Sequence, residues 1–269
     1  MQKFSRNSRI SVITKILIEN PSKIMSLNYF SEILNAAKST ISEDILVIRE
    51  MFEAMEMGKI ESIAGATGGV RYIAGMGKVA EEKFKASICE TLNDKSRIVP
   101  GNFLYITDIM LNPSIVHQAG VVLGSKFSEV KADYVITVET KGIPLAYEVA
   151  RYLGVPLVVA RKNSKVTEGT SVTINYVSGT TGRLSNMGLA KRTLKSGSRC
   201  LFIDDFLRAG GTVNGIRDLL YEFESELVGI GVLVDNKEVD KNLPMSYTSL
   251  VDYHGLNDVG ELILEISKD

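Results

Sequence analysis

The sequence predicts an α/β protein of two unequal domains: a small helical domain closed by a hairpin over residues 1–75, and a larger one over 76–269 built on a parallel sheet with flanking helices. Three observations carry this expectation. Apolar residues recur at helical spacing through the first fifty positions and give way to a glycine-rich turn. Beyond about residue 100, apolar runs of strand length alternate with helical stretches, which places helices on the faces of a parallel sheet. One of those runs, Cys200–Ile203, ends in Asp204-Asp205 and passes through Arg208-Ala-Gly-Gly-Thr212 into another helical pattern. A length of 269 residues also exceeds the roughly 100–200 usual for one domain.

Ile10, Ile13 and Leu17 mark a first helix that must stop at Asn20-Pro21, because proline disfavours helix in the residue before it. Leu27, Phe30, Ile33 and Leu34 make a short second helix ending near Asn35. Thr40-Ile-Ser-Glu43 reads as a capping box opening a third helix, whose apolar face is Ile41, Ile45, Ile48 and Phe52. Ile60–Ala64 and Val70–Ala74 then flank Gly65-Ala-Thr-Gly-Gly69 as the strands of a hairpin.

Three helices followed by a hairpin resemble a winged helix-turn-helix DNA-binding domain. The resemblance implies that the first turn of the third helix, with Lys38, Ser39, Thr40 and Ser42, faces base edges. Arg71 and Tyr72 lie on the wing, and Lys3, Arg6 and Arg9 contribute phosphate contacts. The blander reading of a small helical domain with a hairpin is an oligomerisation module.

In the larger domain a helix of mixed character runs over 78–92, and strands are expected at Phe103–Thr107, Ala132–Glu139, Pro156–Arg161, Cys200–Ile203 and Leu227–Val234. Helices fall near Ser114–Phe127, Ile143–Tyr152 and Val213–Glu224. Ligands of such sheets sit at the carboxyl ends of the strands, where Asp204 and Asp205 lie. Gly210 and Gly211 have no Cβ to hold the backbone off a phosphate, and the Thr212 hydroxyl and a helix N-terminus add donors. The two carboxylates suit the hydroxyls of a ribose. Together these residues describe a ribose 5-phosphate cradle.

The stretch 200–212 resembles the signature of the type I phosphoribosyltransferase family: an apolar strand, two acidic residues and a short loop ending Gly-Gly-Thr. The resemblance implies binding of 5-phosphoribosyl-1-pyrophosphate (PRPP), with magnesium held through the ligand beside Asp204 and Asp205. It also assigns Phe206, Arg208, Ala209, Gly210, Gly211 and Thr212 to the cradle. Val138-Glu-Thr-Lys-Gly142 resembles the family's pyrophosphate loop, with Thr140, Lys141 and Gly142 as donors. The segment 161–199 carries eight basic residues against Glu168 alone and reads as a basic flexible loop, or as a solvated hairpin. Arg161 and Lys162 stand nearest the pyrophosphate, and Phe206 and Tyr105 are placed to stack on a base or to pack a core. Gly75-Met-Gly-Lys-Val-Ala80 imitates a dinucleotide fingerprint but lacks the surrounding βαβ unit.

The pairing of both domains resembles the purine operon repressors of Gram-positive bacteria. That implies a homodimer on double-stranded DNA, released by PRPP, with guanosine tetraphosphate as a competing ligand and with no transferase turnover or obligatory cofactor. Arg208-Ala209 fits this, because many active transferases carry a small residue and then Thr or Ser there. Two alternatives stay open: an active purine phosphoribosyltransferase for xanthine or adenine salvage, and an RNA-binding attenuation protein. RNA suits the first domain less well, since its deep groove does not admit a recognition helix.

Composition excludes some classes. The two cysteines, Cys89 and Cys200, lie far apart without metal spacing, and no run approaches the 18 or so apolar residues of a membrane span. A cytoplasmic location is expected. His117 and His254 stand without ligand spacing and read as structural.

Overall fold

The computed structural model describes residues 3–65, 68–100, 103–162, 169–177 and 182–268. The chain divides into two compact units, Met1–Glu81 with Tyr152–Gly154, and Glu82–Arg151 with Val155–Asp269.

In the first unit α1 (Arg6–Glu19) opens on Ser5, whose hydroxyl accepts from the Ser8 amide, and closes at Asn20. Ser26 ends β1 (Ile24–Ser26) and caps α2 (Leu27–Leu34), and Asn35 in the left-handed conformation, φ 46°, turns the chain out of α2. The turn closes at once, because the Ala36 amide donates to Ser31 O and the Ser31 hydroxyl donates to Ala36 O. As a result α3 (Lys38–Ala54) starts earlier than the capping-box pattern expects. Ala37 is its N-cap, and Thr40 and Glu43 lie within the helix.

β2 (Gly58–Ile63) and β3 (Gly69–Ala74) form the expected antiparallel hairpin; Ala66 and Thr67 of its turn lie outside the described residues. β1 adds to the other edge of β3 with Ile24 opposite Arg71, so the wing is a three-stranded sheet. The sequence gives no sign of β1, which is only three residues long. The core of the unit is Ile13, Leu17, Phe30, Leu34, Ile41, Ile45, Ile48 and Phe52 closed by Ile60 and Val70 of the sheet.

α4 (Lys78–Leu92) follows from Gly75-Met-Gly77. The strand before it, β3, is antiparallel to both of its neighbours, so no dinucleotide fold surrounds those glycines. Instead of a sheet strand over Phe103–Thr107, the chain makes a short antiparallel pair, β4 (Ile98–Val99) with β5 (Phe103–Leu104), and α5 (Thr107–Met110) begins where the strand was expected to end. Arg97 folds this segment on itself: its guanidinium pairs in two bonds of 2.8 Å with Asp108 and donates to Tyr105 O.

Then come α6 (Pro113–Lys126), β6 (Tyr134–Val138), α7 (Ile143–Leu153), β7 (Leu157–Ala160), the hairpin β8 (Ser171–Val177) and β9 (Leu184–Ala190), β10 (Arg199–Leu207), α8 (Gly211–Tyr221), β11 (Glu226–Asn236), β12 (Thr248–Leu256) and β13 (Leu262–Ile266). Six strands form one sheet in the order β13-β12-β11-β10-β6-β7, parallel except for β12 with β13. β10 lies inside it, with Phe202 opposite Ile230 on one side and Ile136 on the other. β12 and β13 go unpredicted because Asp252, His254 and Glu265 interrupt their apolar runs.

The described part of the basic segment is a hairpin. β8 and β9 pair over their whole length, and Tyr176, Met187 and Leu189 are buried in the core beneath them. A Cβ on Gly215 of α8 would press on Tyr176 and Met187, so the hairpin is seated on that helix. Lys165 and Glu168 lie outside the described residues.

Cys89 and Cys200 are free thiols, and burial pushes them up to about 11 and about 12. Among the described residues no helix is long and apolar enough to cross a membrane.

Candidate functional site

A cavity of about 410 Å³ opens in the second unit where β6, β10, β11 and β12 end, lined by Glu139, Thr140, Lys141, Asp204, Asp205, Phe206, Asn236 and Tyr253. Arg208 and Thr212 also line it, as do Lys162 after β7 and the β4–β5 segment through Phe103 and Tyr105. Parallel strands feed the site because all four deliver their carboxyl ends to the same edge of the sheet.

β10 carries the two carboxylates. The Asp205 amide donates to Asp204 Oδ1 at 2.9 Å, which turns the first carboxylate along the chain. Burial, and then the charge of Asp205, hold the Asp204 carboxyl well above the usual carboxylate range, against the opposing field of Lys162. A ligand that brings hydroxyl donors to this pair favours its ionised form.

Gly142 buttresses the same group from the other side. A Cβ there would collide with the Asp204 carboxylate and with the Thr137 hydroxyl, so only glycine lets the loop after β6 approach β10 this closely. The Glu139–Thr140 peptide in that loop is cis. Glu139 ties the loop to the end of β7: it accepts from the Lys162 amide at 2.9 Å and lies 4.0 Å from Arg161 Nη1. Arg161 is therefore turned toward Glu139, and Lys162 is the residue of the two that reaches the cavity.

Ala209 leads into Gly210, which caps α8 in the left-handed conformation, φ 81°, and Thr212 in the first turn faces the cavity. The amides of that turn and the positive end of the helix dipole suit a phosphate. Arg208 lies over the Phe103 ring at 5.1 Å, and Phe206 faces Tyr253 with ring centres 6.5 Å apart. Tyr176, Asn236 and Tyr253 are wall residues that sequence reasoning missed. Asn236 was within reach as the last residue of an extended apolar strand, whereas Tyr253 required β12 to be recognised. Among the described residues no group of three or more His, Cys, Asp or Glu gathers as a metal site. Two carboxylates alone suit a magnesium ion that shares its coordination with ligand oxygens.

The first unit presents a cleft of about 530 Å³ between α3 and the β2–β3 wing, lined by Lys38, Ser42, Leu46, Arg49, Ser62 and Gly65 among others. Lys3, Lys38 and Ser39 are exposed, and Thr40 and Ser42 are half-buried. Other expected contacts are engaged within the unit, and Arg9 and Tyr72 face inward. Arg9 Nε donates to Asp44 at 2.6 Å, and the Asp44 side chain is only 1% exposed. Arg6, itself well exposed, lies 3.5 Å from the same carboxylate. Arg71 pairs with Glu61 at 2.7 Å, and Tyr72 is buried with its hydroxyl donating to Met57 O. Arg49 went unnoticed, although positions 38, 42, 46 and 49 share a helix face; it donates to Ile60 O and the Ser62 hydroxyl.

Comparison with known proteins joins these two sites. Residues 5–74 match the family described as bacterial purine repressor, N-terminal, and residues 112–259 match the phosphoribosyl transferase domain. The chain is 46% identical over 255 residues to the purine biosynthesis transcriptional repressor PurR of Bacillus subtilis, covering 95% of this chain and 90% of that one. It is 37% identical over 246 residues to the purine biosynthesis transcriptional activator PurR of Lactococcus lactis, covering 91% of each. Among solved structures, the adenine phosphoribosyltransferase of Thermoanaerobacter pseudethanolicus superposes with a TM-score of 0.53 at 20% identity, covering 62% of this chain and 99% of that one, which shows the fold of the second unit. The chain belongs to the purine biosynthesis transcriptional regulators, in which a purine-repressor N-terminal domain precedes a phosphoribosyltransferase domain.

Proposed function

We propose that this regulator represses purine synthesis and transport genes by binding duplex DNA as a homodimer, and that PRPP in the cavity of the second unit releases it. One observation supports the effector reading above all: Asp204, Asp205, Thr212, Thr140, Lys141 and Lys162 all line one cavity, although they come from three separate strand ends. The carboxylates take the ribose hydroxyls, Thr212 and the start of α8 take the 5-phosphate, and Thr140, Lys141 and Lys162 take the pyrophosphate. Magnesium, when bound with PRPP, neutralises part of the pyrophosphate charge. Guanosine tetraphosphate offers phosphates and a ribose to the same groups and competes for them.

DNA binding falls to α3 and the wing, with Lys38 and Ser39 at the first turn and Lys3 and Arg6 supplying phosphate contacts. Arg9 and Tyr72 are left out of that surface, because the structure commits both side chains to the interior of the unit. A twofold dimer places two such helices on the half-sites of an operator. Turnover is not expected: Arg208 and Ala209 stand where many active transferases carry a small residue followed by Thr or Ser, and Arg208 is stacked on Phe103 at the cavity wall.

The test is a pair of assays on the purified protein. Fluorescence anisotropy compares a purine-promoter duplex with a scrambled one, and a radiolabel assay follows nucleotide formation from PRPP with xanthine or adenine. Specific DNA binding without nucleotide formation is the expected result. Sustained nucleotide synthesis without specific DNA binding overturns the reading.

A further inference from the structure

The segment between β11 and β12 packs against the phosphate cradle, and a buried ion cluster fixes it there. Asp235, with a fully buried side chain, lies at the end of β11 and takes Lys237 Nζ at 2.7 Å, Lys241 Nζ at 2.9 Å and the Tyr247 hydroxyl at 2.6 Å. Lys241 is itself 6% exposed, and its ammonium also donates to the carbonyls of Asn236 and Val239. One lysine thus holds both the root of the segment and its first turn. Immediately after it, the Asn242 carbonyl accepts from Asn214 Nδ2 of α8 at 2.9 Å, and Leu243 fills the space that a Cβ on Gly210 would occupy. Gly210 is the left-handed cap on which the first turn of α8 depends.

Resting on the effector reading above, we infer that Lys241 and Asp235 are positioning residues for the 5-phosphate end of the cavity, acting on the cradle through Asn242 and Leu243. Neither is a wall residue of the cavity. Their effect is to keep the amides after Gly210 converged before a ligand arrives, so that binding does not have to order them. The pyrophosphate end, built on the loops after β6 and β7, is fastened independently by Glu139.

The two ends therefore respond differently to loss of the cluster, and calorimetry on the full chain reads the difference. Ribose 5-phosphate probes the cradle, and inorganic pyrophosphate with magnesium probes the other end. Lys241→Met is expected to weaken ribose 5-phosphate by about tenfold or more while pyrophosphate binding holds, and Lys241→Arg to restore most of the loss. Asn214→Ala, a change at a half-buried position that removes the tie to Asn242, is expected to move the same affinity in the same direction by less. It carries the test if Lys241→Met does not fold. Unchanged ribose 5-phosphate affinity in a folded Lys241→Met protein overturns the inference, and so does an equal loss for pyrophosphate, which marks general loosening. If Lys241→Met does not fold, unchanged affinity in Asn214→Ala overturns it. Failure of the wild-type protein to bind ribose 5-phosphate overturns the effector reading instead.

Discussion

In the first unit several cations are answered by their own chain, whereas in the second two carboxylates stand side by side in the wall of a cavity. Arg9 is spent on buried Asp44, Arg71 on Glu61 and Arg49 on the wing backbone, so the helix-turn-helix is held by the kind of residue that elsewhere grips DNA. Asp204 and Asp205 are held in the opposite way, close together and with Asp204 pushed toward its neutral form. The comparison teaches that the first surface is settled by pairs within its own chain, while the second sets two carboxylates together, with burial and the Asp205 charge holding Asp204 toward its neutral form.

The largest effect is expected from the second unit. Asp204→Ala with Asp205→Ala removes two charge-assisted hydrogen bonds of about 1.5–3 kcal/mol each, which lowers affinity for ribose 5-phosphate by at least about a hundredfold in calorimetry. Equal affinity in the double variant breaks the assignment of the pair. In the first unit, Phe30→Ala empties a fully buried site and costs about 3–5 kcal/mol, seen as loss of promoter binding and an early thermal transition. Ribose 5-phosphate affinity should survive that change, since among the described residues those that line the cavity all belong to the second unit.

Gly142→Ala sharpens the comparison at smaller cost. The added methyl meets the Asp204 carboxylate, so about 1–3 kcal/mol of stability goes with a weaker effector response. A fully stable variant with normal effector binding contradicts the close approach. The pH dependence follows from the sign of the Asp204 shift. Because the folded carboxyl is raised, its contribution to stability is present in acid and is lost as pH rises through its shifted value, while affinity for ribose hydroxyls climbs over the same range. Asp204→Asn should flatten the affinity profile to that of the phosphate alone. The smallest expected effect is Lys3→Ala, which removes one phosphate contact, weakens promoter and scrambled duplexes alike and reduces the salt slope by about one counterion.

The cavity was legible where its residues are consecutive. Asp204 to Thr212 states a strand end, two acids and a glycine turn in one line, and the loop 138–142 could be found once that line was understood. What lay beyond reach was assembled by long-range pairing. Tyr253 enters on a strand whose polar interruptions hid it, and Phe103 enters because Arg97 and Asp108 fold a would-be strand back on itself. The first unit shows the same limit with charge. Nothing in Arg9 distinguishes a phosphate contact from a buried pair until Asp44, 35 positions away, is brought beside it. Likewise the helix start at Lys38 was obscured because Thr40 and Glu43 form a plausible cap that the tight turn at Asn35 makes unnecessary.

The most direct measurement of the coupling is the anisotropy of a labelled purine-promoter duplex, at one salt concentration, titrated with PRPP and magnesium against the wild-type protein and against Asp204→Ala with Asp205→Ala. The account predicts release of the wild type and retention of the double variant, with equal starting affinities. Release of both, or of neither, contradicts it.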